Sequence, residues 1–344
     1  MASSRPQPDS LAQARRLEAR EQALAAGRPA QLSYAEAVAQ TLYAAMRDDP
    51  SVVLLGESVG RLGGVFGTTA GLLGAFGDER VIDTPISEAG VVGLALGLAL
   101  GGKRPVVELT GTAANAFEQL GLELATLSTR SKGEFRAPVV VRIPYGPAPQ
   151  GAGPAGTMDG GELMESMLSA ISGLTVLCPA SPEAAQGLLR HALKGQDPVV
   201  LLEPRRVLMD VGALHTDARK PRAVKRAEGE HITVLSWGAG VAAAVEAAEA
   251  CAAGRAGAVC TADVFDLQSL SPLDLDPLTE SVRRTGRVLV VDDLSPGPGR
   301  TSAVAERLLG AVTESAFLYL ESPPRAVTGD AARIAAAIVA SVQF

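Results

Sequence analysis

Cysteine, histidine and aromatic side chains are scarce in this chain of 344 residues, and each shortage removes a class of function. The three cysteines, Cys178, Cys251 and Cys260, share no CxxC or other metal-ligand spacing, and an odd number does not close a disulfide framework. That usage suits a reducing compartment, so a cytoplasmic location is expected. The three histidines fall in unrelated settings: His191 in helix-like "GLLRHALKG", His215 in a polar stretch and His231 at a strand start, with no pair at metal spacing. No G-x-S-x-G elbow or P-loop occurs, so hydrolytic triads and histidine metal sites are poor candidates. With 3% aromatics and a net charge of −7, the chain has neither the stacking rings nor the basic stripe of a nucleic-acid surface. The longest apolar run, 91–100, is interrupted by Gly93 and Gly97 and flanked by Gly90, Gly101 and Gly102, which leaves it short of a membrane span. The first 31 residues mix Arg with Glu and have no apolar core, so no secretory signal is expected there, only a short polar helix that frays or touches a partner.

What is present is an alternating α/β pattern. From residue 34, amphipathic "YAEAVAQTLYAAMRDD" is followed by "VVLLG", "RVIDTP", a glycine-rich helix, "RPVVELT", a helix near 113–128, "APVVVRIP", "LTVLCP" and "PVVLLEP". Short unbroken Val/Leu/Ile runs between helices predict strands buried on both faces, hence a mostly parallel sheet. Residues 209–229 are polar and Lys/Arg-rich without an apolar period, and read as a linker. After them "HITVLSWG", "GAVCTADVFDL", "RVLVVDD" and "FLYLE" alternate with alanine-rich helices. The expected organisation is an N-terminal polar helical extension (1–33), a first α/β domain (34–208), a linker (209–229) and a smaller second α/β domain (230–344).

Two glycine patterns invite a nucleotide reading. "GAGPAG" at 151–156 is a weak one, because Pro154 stands where a helix should open. "HITVLSWGAGVAAAVEAAEA" is better, with a strand leading into Gly238, Gly240 and Ala243 and with Asp263 and Asp266 on the next strand. Tight strand-to-helix turns also use glycine for structural reasons alone, and that is the stronger reading here. A different pair of acids stands at predicted strand ends: Glu57 after "VVLLG", and Glu88 just after "DTP". Carboxyl ends of parallel strands are where ligands bind in such sheets. Glu88 heads an otherwise apolar, glycine-rich stretch, so it is either a helix-start device with Ser87 as cap or a chemical group.

Taken together and in order, "VVLLGESVGRLGGVFGTTAGLLGAFGDERVIDTPISEAG", "RPVVEL", "RSKGEFRAPVVVRIPYG", "GLTVLCPASPEAAQGLLRHAL", "DPVVLLEPRRVL" and "DLQSLSPLD" resemble the β subunit of thiamine-diphosphate-dependent 2-oxoacid dehydrogenases (E1β), from about residue 33 to 330. The resemblance implies a pyrimidine-binding domain followed by a transketolase-type C-terminal domain. It implies that Glu88, the glutamate of "DTPISE", hydrogen-bonds N1′ of the cofactor's aminopyrimidine and so promotes loss of the thiazolium C2 proton. Such an acid belongs in a dry apolar pocket, where loss of water favours its neutral form. Glu57 matches a second family glutamate that relays protons between paired active sites, and Ile86 falls within the cofactor-contacting motif. The family's GDG…N motif for pyrophosphate and Mg²⁺ sits on an α subunit, and no "GDG" occurs here. An E1α-type partner in an α2β2 assembly is therefore implied, along with a lipoyl-bearing acyltransferase or another acyl carrier protein.

Several positions depart from the family pattern. The histidine of the family's "HSQ"-type loop has no counterpart in "GPAPQGAGPAGTMDGGELMESM", where Asp159 or Glu162 is left to serve as acid or base. The aromatic "FMTFNF" wall becomes "LTGTAANAF", which puts Thr112 and Ala114 at aromatic positions with Phe117 nearby, and implies a wider, more polar pocket. Gly195 replaces a family acid at the K⁺ loop, and "VVDDLSPGPGR" replaces a histidine-containing turn. The main expectation is 2-oxoacid decarboxylation with acyl transfer to a carrier. Two-carbon ketol transfer, favoured by the lost histidine, and a catalytically silent scaffold subunit stand as alternatives.

Overall fold

The computed structural model describes residues 8–28, 30–110, 113–146, 161–214, 220–292 and 301–344, with the side chains of residues 8 and 161–163 outside the description. The chain divides into two compact units, residues 1–160 with 170–220, and residues 161–169 with 221–344.

The first unit opens with helix α1 (Pro8–Ala25) and strand β1 (Gln31–Ser33), followed by α2 (Tyr34–Asp48). Ser33 caps α2 through a reciprocal box: its hydroxyl accepts from Glu36 N while the Glu36 carboxylate accepts from Ser33 N. The sheet is built from β2 (Val52–Gly56), β3 (Val81–Asp83), β4 (Arg104–Glu108), β5 (Val140–Tyr145), β6 (Thr175–Leu177) and β7 (Val199–Pro204). Within this unit they lie in the order β6-β7-β5-β4-β2-β3, every pair parallel. All five residues of β2 are buried, as expected of a strand covered on both faces. The chain leaves β2 for β3 on one side, through α3 (Leu72–Phe76), and then crosses to β4 on the other through α4 (Glu88–Leu100). The strand order therefore reverses at β2, and a crevice opens there beyond the strand ends.

The predicted polar N-terminal helix is present, but it is docked: Ser10, Leu17 and Leu24, seven residues apart, are buried along one side. The stretch expected as a linker holds backbone-paired structure. β8 (Val211–Ala213) pairs antiparallel with β1, and β9 (Val224–Ala227) joins the second unit's sheet as an edge strand. Edge strands are held by their main chain and need no apolar period, which is why composition conceals them. The single helix expected near 113–128 is instead a 3₁₀ turn (Ala113–Ala116), a π-helical turn (Gln119–Leu124) and an α-helical turn (Leu127–Arg130).

The second unit contains β10 (Ile232–Ser236), β11 (Ala262–Asp266), a short β12 (Ser269–Ser271), β13 (Val288–Val291) and β14 (Arg325–Val327). Its sheet runs β14-β13-β10-β11-β9, parallel except for β9. Helices Gly240–Ala252 and Ala331–Val342 pack on it through Ala244, Ala247, Ile334 and Ile338.

Candidate active site

Three strand ends converge on one shallow cleft, lined by Glu57, Thr84, Pro85, Ile86, Ser87, Glu88, Val91, Glu108, Leu109 and Thr110. β2 ends in Gly56, where a side chain is impossible: a Cβ would lie 2.6 Å from the carbonyl oxygen of Glu108 and 2.8 Å from Val59 Cγ1. Glu57 follows immediately, and Ser58 takes a left-handed backbone (φ 60°) that turns the chain sharply out of the sheet. Asp83, the last residue of β3, holds that turn by accepting backbone N–H bonds from Gly60 (2.6 Å) and Arg61 (3.1 Å). Thr110 Oγ1 donates to Glu57 Oε2 at 2.9 Å, which orients the carboxylate.

After Asp83 the chain cannot continue as a ladder strand because Pro85 lacks an N–H. Ile86 points its side chain outward, 73% exposed, and α4 begins at Glu88. Ser87 makes no side-chain cap bond to α4, so the expected helix-start role is not performed by Ser87. Glu88 is the first helical residue and is only 8% exposed, a carboxylate at the positive end of a helix beside the apolar Val91.

Behind the cleft is a fully buried ionic cluster that the sequence reading did not single out. Arg142 on β5 reaches Glu108 Oε2 with Nη1 (2.7 Å) and forks onto Glu203 of β7 with Nε (2.9 Å) and Nη2 (2.7 Å). Thr68 Oγ1 completes the set by donating to Glu108 Oε2 at 2.7 Å. Burial pushes the Glu203 carboxyl up, against the pull of Arg142, and burial with the neighbouring Glu203 charge drives the Tyr34 hydroxyl well up. A signal for this cluster was available: "VVELT", "VVVRIP" and "VLLEP" each carry one charge inside an apolar strand, and a buried charge requires a partner.

The other expected site residues are placed differently. Ala114 is exposed and Phe117 half-buried, and neither is among the residues lining the cleft. Thr112, Asp159 and the "GAGPAG" loop lie outside the described residues, as does the Glu162 side chain. In the second unit, the dinucleotide-like acids are occupied structurally. Asp263 is bonded by Lys225 Nζ (2.9 Å), Ser281 Oγ (2.6 Å), Gly229 N (2.9 Å) and Arg284, and Asp266 by Arg226 (2.8 Å).

A two-unit α/β chain with carboxylates gathered at the switch point of its larger sheet defines the class, and similarity to known proteins narrows it. The "Transketolase, pyrimidine binding domain" model matches residues 30–210, and the "Transketolase, C-terminal domain" model matches residues 222–340. The chain is 38% identical to the pyruvate dehydrogenase E1 component subunit beta of Leifsonia xyli, over 82% of this chain and 81% of that protein. It is 37% identical to the 3-methyl-2-oxobutanoate dehydrogenase subunit beta of Mycobacterium tuberculosis, over 85% and 82% respectively. Among solved structures, a split-gene transketolase described as an inactive β4 tetramer matches with a TM-score of 0.69 at 22% identity, covering 91% of this chain and 98% of that one, which is a likeness of fold. The chain belongs to the E1β family of thiamine-diphosphate-dependent 2-oxoacid dehydrogenases, within the transketolase group.

Proposed function

We propose that this chain is the β half of an E1 enzyme that decarboxylates a 2-oxoacid of the pyruvate or branched-chain type and passes the acyl unit to a lipoyl or other carrier. The observation that carries this reading is Glu88, a buried carboxylate at the mouth of α4 in a cleft where the buried Val91 and Leu109 lie beside it. That setting fits the aminopyrimidine end of thiamine diphosphate: Glu88 holds a proton at the ring nitrogen, while the buried Val91 and Leu109 keep water away. When bound, the cofactor supplies the electron sink for the pair released on decarboxylation. Glu57, oriented by Thr110, is read as the relay that gives or takes protons at the cleft. Asp159, in the divergent loop, is read as the group handling the substrate in place of the family histidine. Thr112 is read as part of the cofactor wall, with Ala114 and Phe117 shaping the approach from outside the described lining.

The described lining contains Glu57 and Glu88, together with Glu108 whose charge Arg142 offsets, and no basic side chain, so it offers nothing to hold a diphosphate. The anionic end and its Mg²⁺ therefore fall to an α-type subunit. The outer side of α4 supports such a partner: Gly90, Leu94, Gly97 and Leu100 are exposed along it, with Leu94 and Leu100 about half accessible. We read the assembly as α2β2, the domain boundary as falling within 209–229, and the location as cytoplasmic, in keeping with three buried, unbridged cysteines. Among the described residues no helix is long and apolar enough to cross a membrane.

The test is co-production with the α-type subunit, titration with thiamine diphosphate, and turnover assays with pyruvate, branched 2-oxoacids and ketose phosphates in parallel. Saturable cofactor binding and carbon dioxide release from a 2-oxoacid are expected. Turnover of ketose phosphates alone, or no cofactor binding by the assembled pair, would overturn the proposal.

A further inference from the structure

Helix α1 lies ahead of both matched family models, which begin at residues 30 and 222, yet its seat on the first unit is closely built. It crosses α3 at two glycines where the backbones nearly touch. A Cβ on Gly74 would lie 2.5 Å from Ser10 O, and one on Gly71 would lie 2.9 Å from Ala14 N. On its other flank the fully buried Gln40 donates to Leu17 O (3.2 Å) and to Glu21 Oε2 (2.9 Å), and Arg20 pairs with Glu36 at 2.5 Å. The helix thus couples α2 and α3 by backbone contact, a buried hydrogen bond and an ion pair.

The seat is one end of a segment whose other end is in the cleft. Residues 57–71 run from Glu57 to Gly71 as a turn tied to itself by Gly64 N to Ser58 O (3.0 Å), Thr69 N to Gly63 O (3.0 Å) and Thr69 Oγ1 to Val59 O (2.8 Å). The same turn is tied to the cleft wall by Thr68 Oγ1 to Glu108 Oε2 at 2.7 Å. These bonds form a connected path from Gly71 through Thr69, Val59 and Ser58 to Glu57.

We propose that α1 is a positioning element: by seating on Gly71 and Gly74 it holds the turn that carries Glu57, and so fixes the geometry of the cleft. The structural part stands on the contacts above, and only its effect on turnover rests on the functional reading. The discriminating variant is Gly74→Ala, which improves the intrinsic helix propensity of α3 while driving a methyl group into the backbone of α1. Removal of residues 1–28, with the peptide 8–25 added back in trans, is the companion.

Amide hydrogen exchange on the β chain is the first readout. Exchange should rise by about tenfold or more across 58–71 in both variants, with β5 and the second unit unchanged, and should be restored by the peptide. In the enzyme assembled with its α-type subunit, half-saturation by thiamine diphosphate should rise by about tenfold with little change in thermal midpoint. Unchanged exchange across 58–71, or a uniform rise over the whole first unit, overturns the proposal whatever the activity. Absence of cofactor binding by the unsubstituted enzyme would overturn the functional reading instead, and would leave the exchange result standing. If the shortened chain does not fold, Gly74→Ala in the full chain decides the matter by the same readouts.

Discussion

Each unit carries acids on or just after its parallel strands, and the two units surround them differently. In the first unit Glu57 and Glu88 follow the carboxyl ends of parallel strands and face a cleft without a basic side chain in its described lining. In the second, Asp266 closes β11 and is paired with Arg226, while Asp263, near the start of the same strand, is held by Lys225 and Arg284. Both units lead a strand through a glycine-bearing turn into a helix, and only one has the makings of a reactive centre. The position of an acid at a strand end is set by the fold, whereas its surroundings are set by what packs beside it: Arg226 against Asp266, the apolar Val91 and Leu109 in the lining around Glu88.

Exchanging each acid for its amide tests that contrast most strongly. Glu88→Gln in the assembled enzyme is expected to lower turnover by about 10²- to 10⁴-fold, the range for a positioned proton-transfer group, with the thermal midpoint nearly unchanged. Asp263→Asn should do the reverse: turnover per folded molecule is retained, and stability falls by about 2 kcal/mol because Lys225 and Arg284 lose their buried partner while remaining partly solvated. Chemical denaturation read beside steady-state rates separates the two outcomes, and a rate loss in Asp263→Asn without unfolding would erase the distinction.

A smaller effect is expected at Thr110. Thr110→Val keeps the shape and removes the hydroxyl that orients Glu57, so a rate loss of about 5- to 10-fold with thiamine diphosphate still bound is predicted. Wild-type turnover in this variant would remove Thr110 from any positioning role.

The smallest effect concerns pH. Burial pushes the Asp263 carboxyl up, but the bonds from Ser281, Lys225 and Gly229 prevail and hold it below its ordinary value. Its contribution to stability is complete above the unfolded value of about 4 and is lost as pH falls through the folded value. Asp266 has the opposite sign: burial outweighs Arg226 and raises it, so its contribution is present below about pH 4 and lost as pH rises through the folded value. Melting of the whole chain between pH 6 and pH 3 should show an acid-side fall that Asp263→Asn flattens.

Much of the fold was legible because buried parallel strands leave unbroken aliphatic runs, as in "VVLLG" and "PVVLLEP". Pro85 and the glycines marked where those runs stop, and so brought out Glu57 and Glu88. The pairing of β1 with β8 and the addition of β9 to the second sheet left no such mark, since each rests on main-chain bonds between segments far apart in the chain. The docking of α1 was hidden for a related reason: it depends on Gly71 and Gly74 offering a bare backbone, and glycine in a sequence does not say what will lie against it. In the site, "DTPISE" drew attention to Glu88, whereas the Glu108–Arg142–Glu203 cluster went unremarked because its members are separated by 34 and 61 residues.

By itself the sequence determined the alternation of strands and helices, the division into two α/β units and the placing of acids after particular strands, since these follow from local periodicity and from where proline and glycine break it. Only the tertiary structure decided which charges meet. Glu108 and Glu203 are held by one arginine, Asp263 by Lys225 and Arg284, and Glu57 meets the Thr110 hydroxyl. The reason is that hydrogen bonds and ion pairs depend on distance in space, which strand order and helix crossings set and chain separation does not.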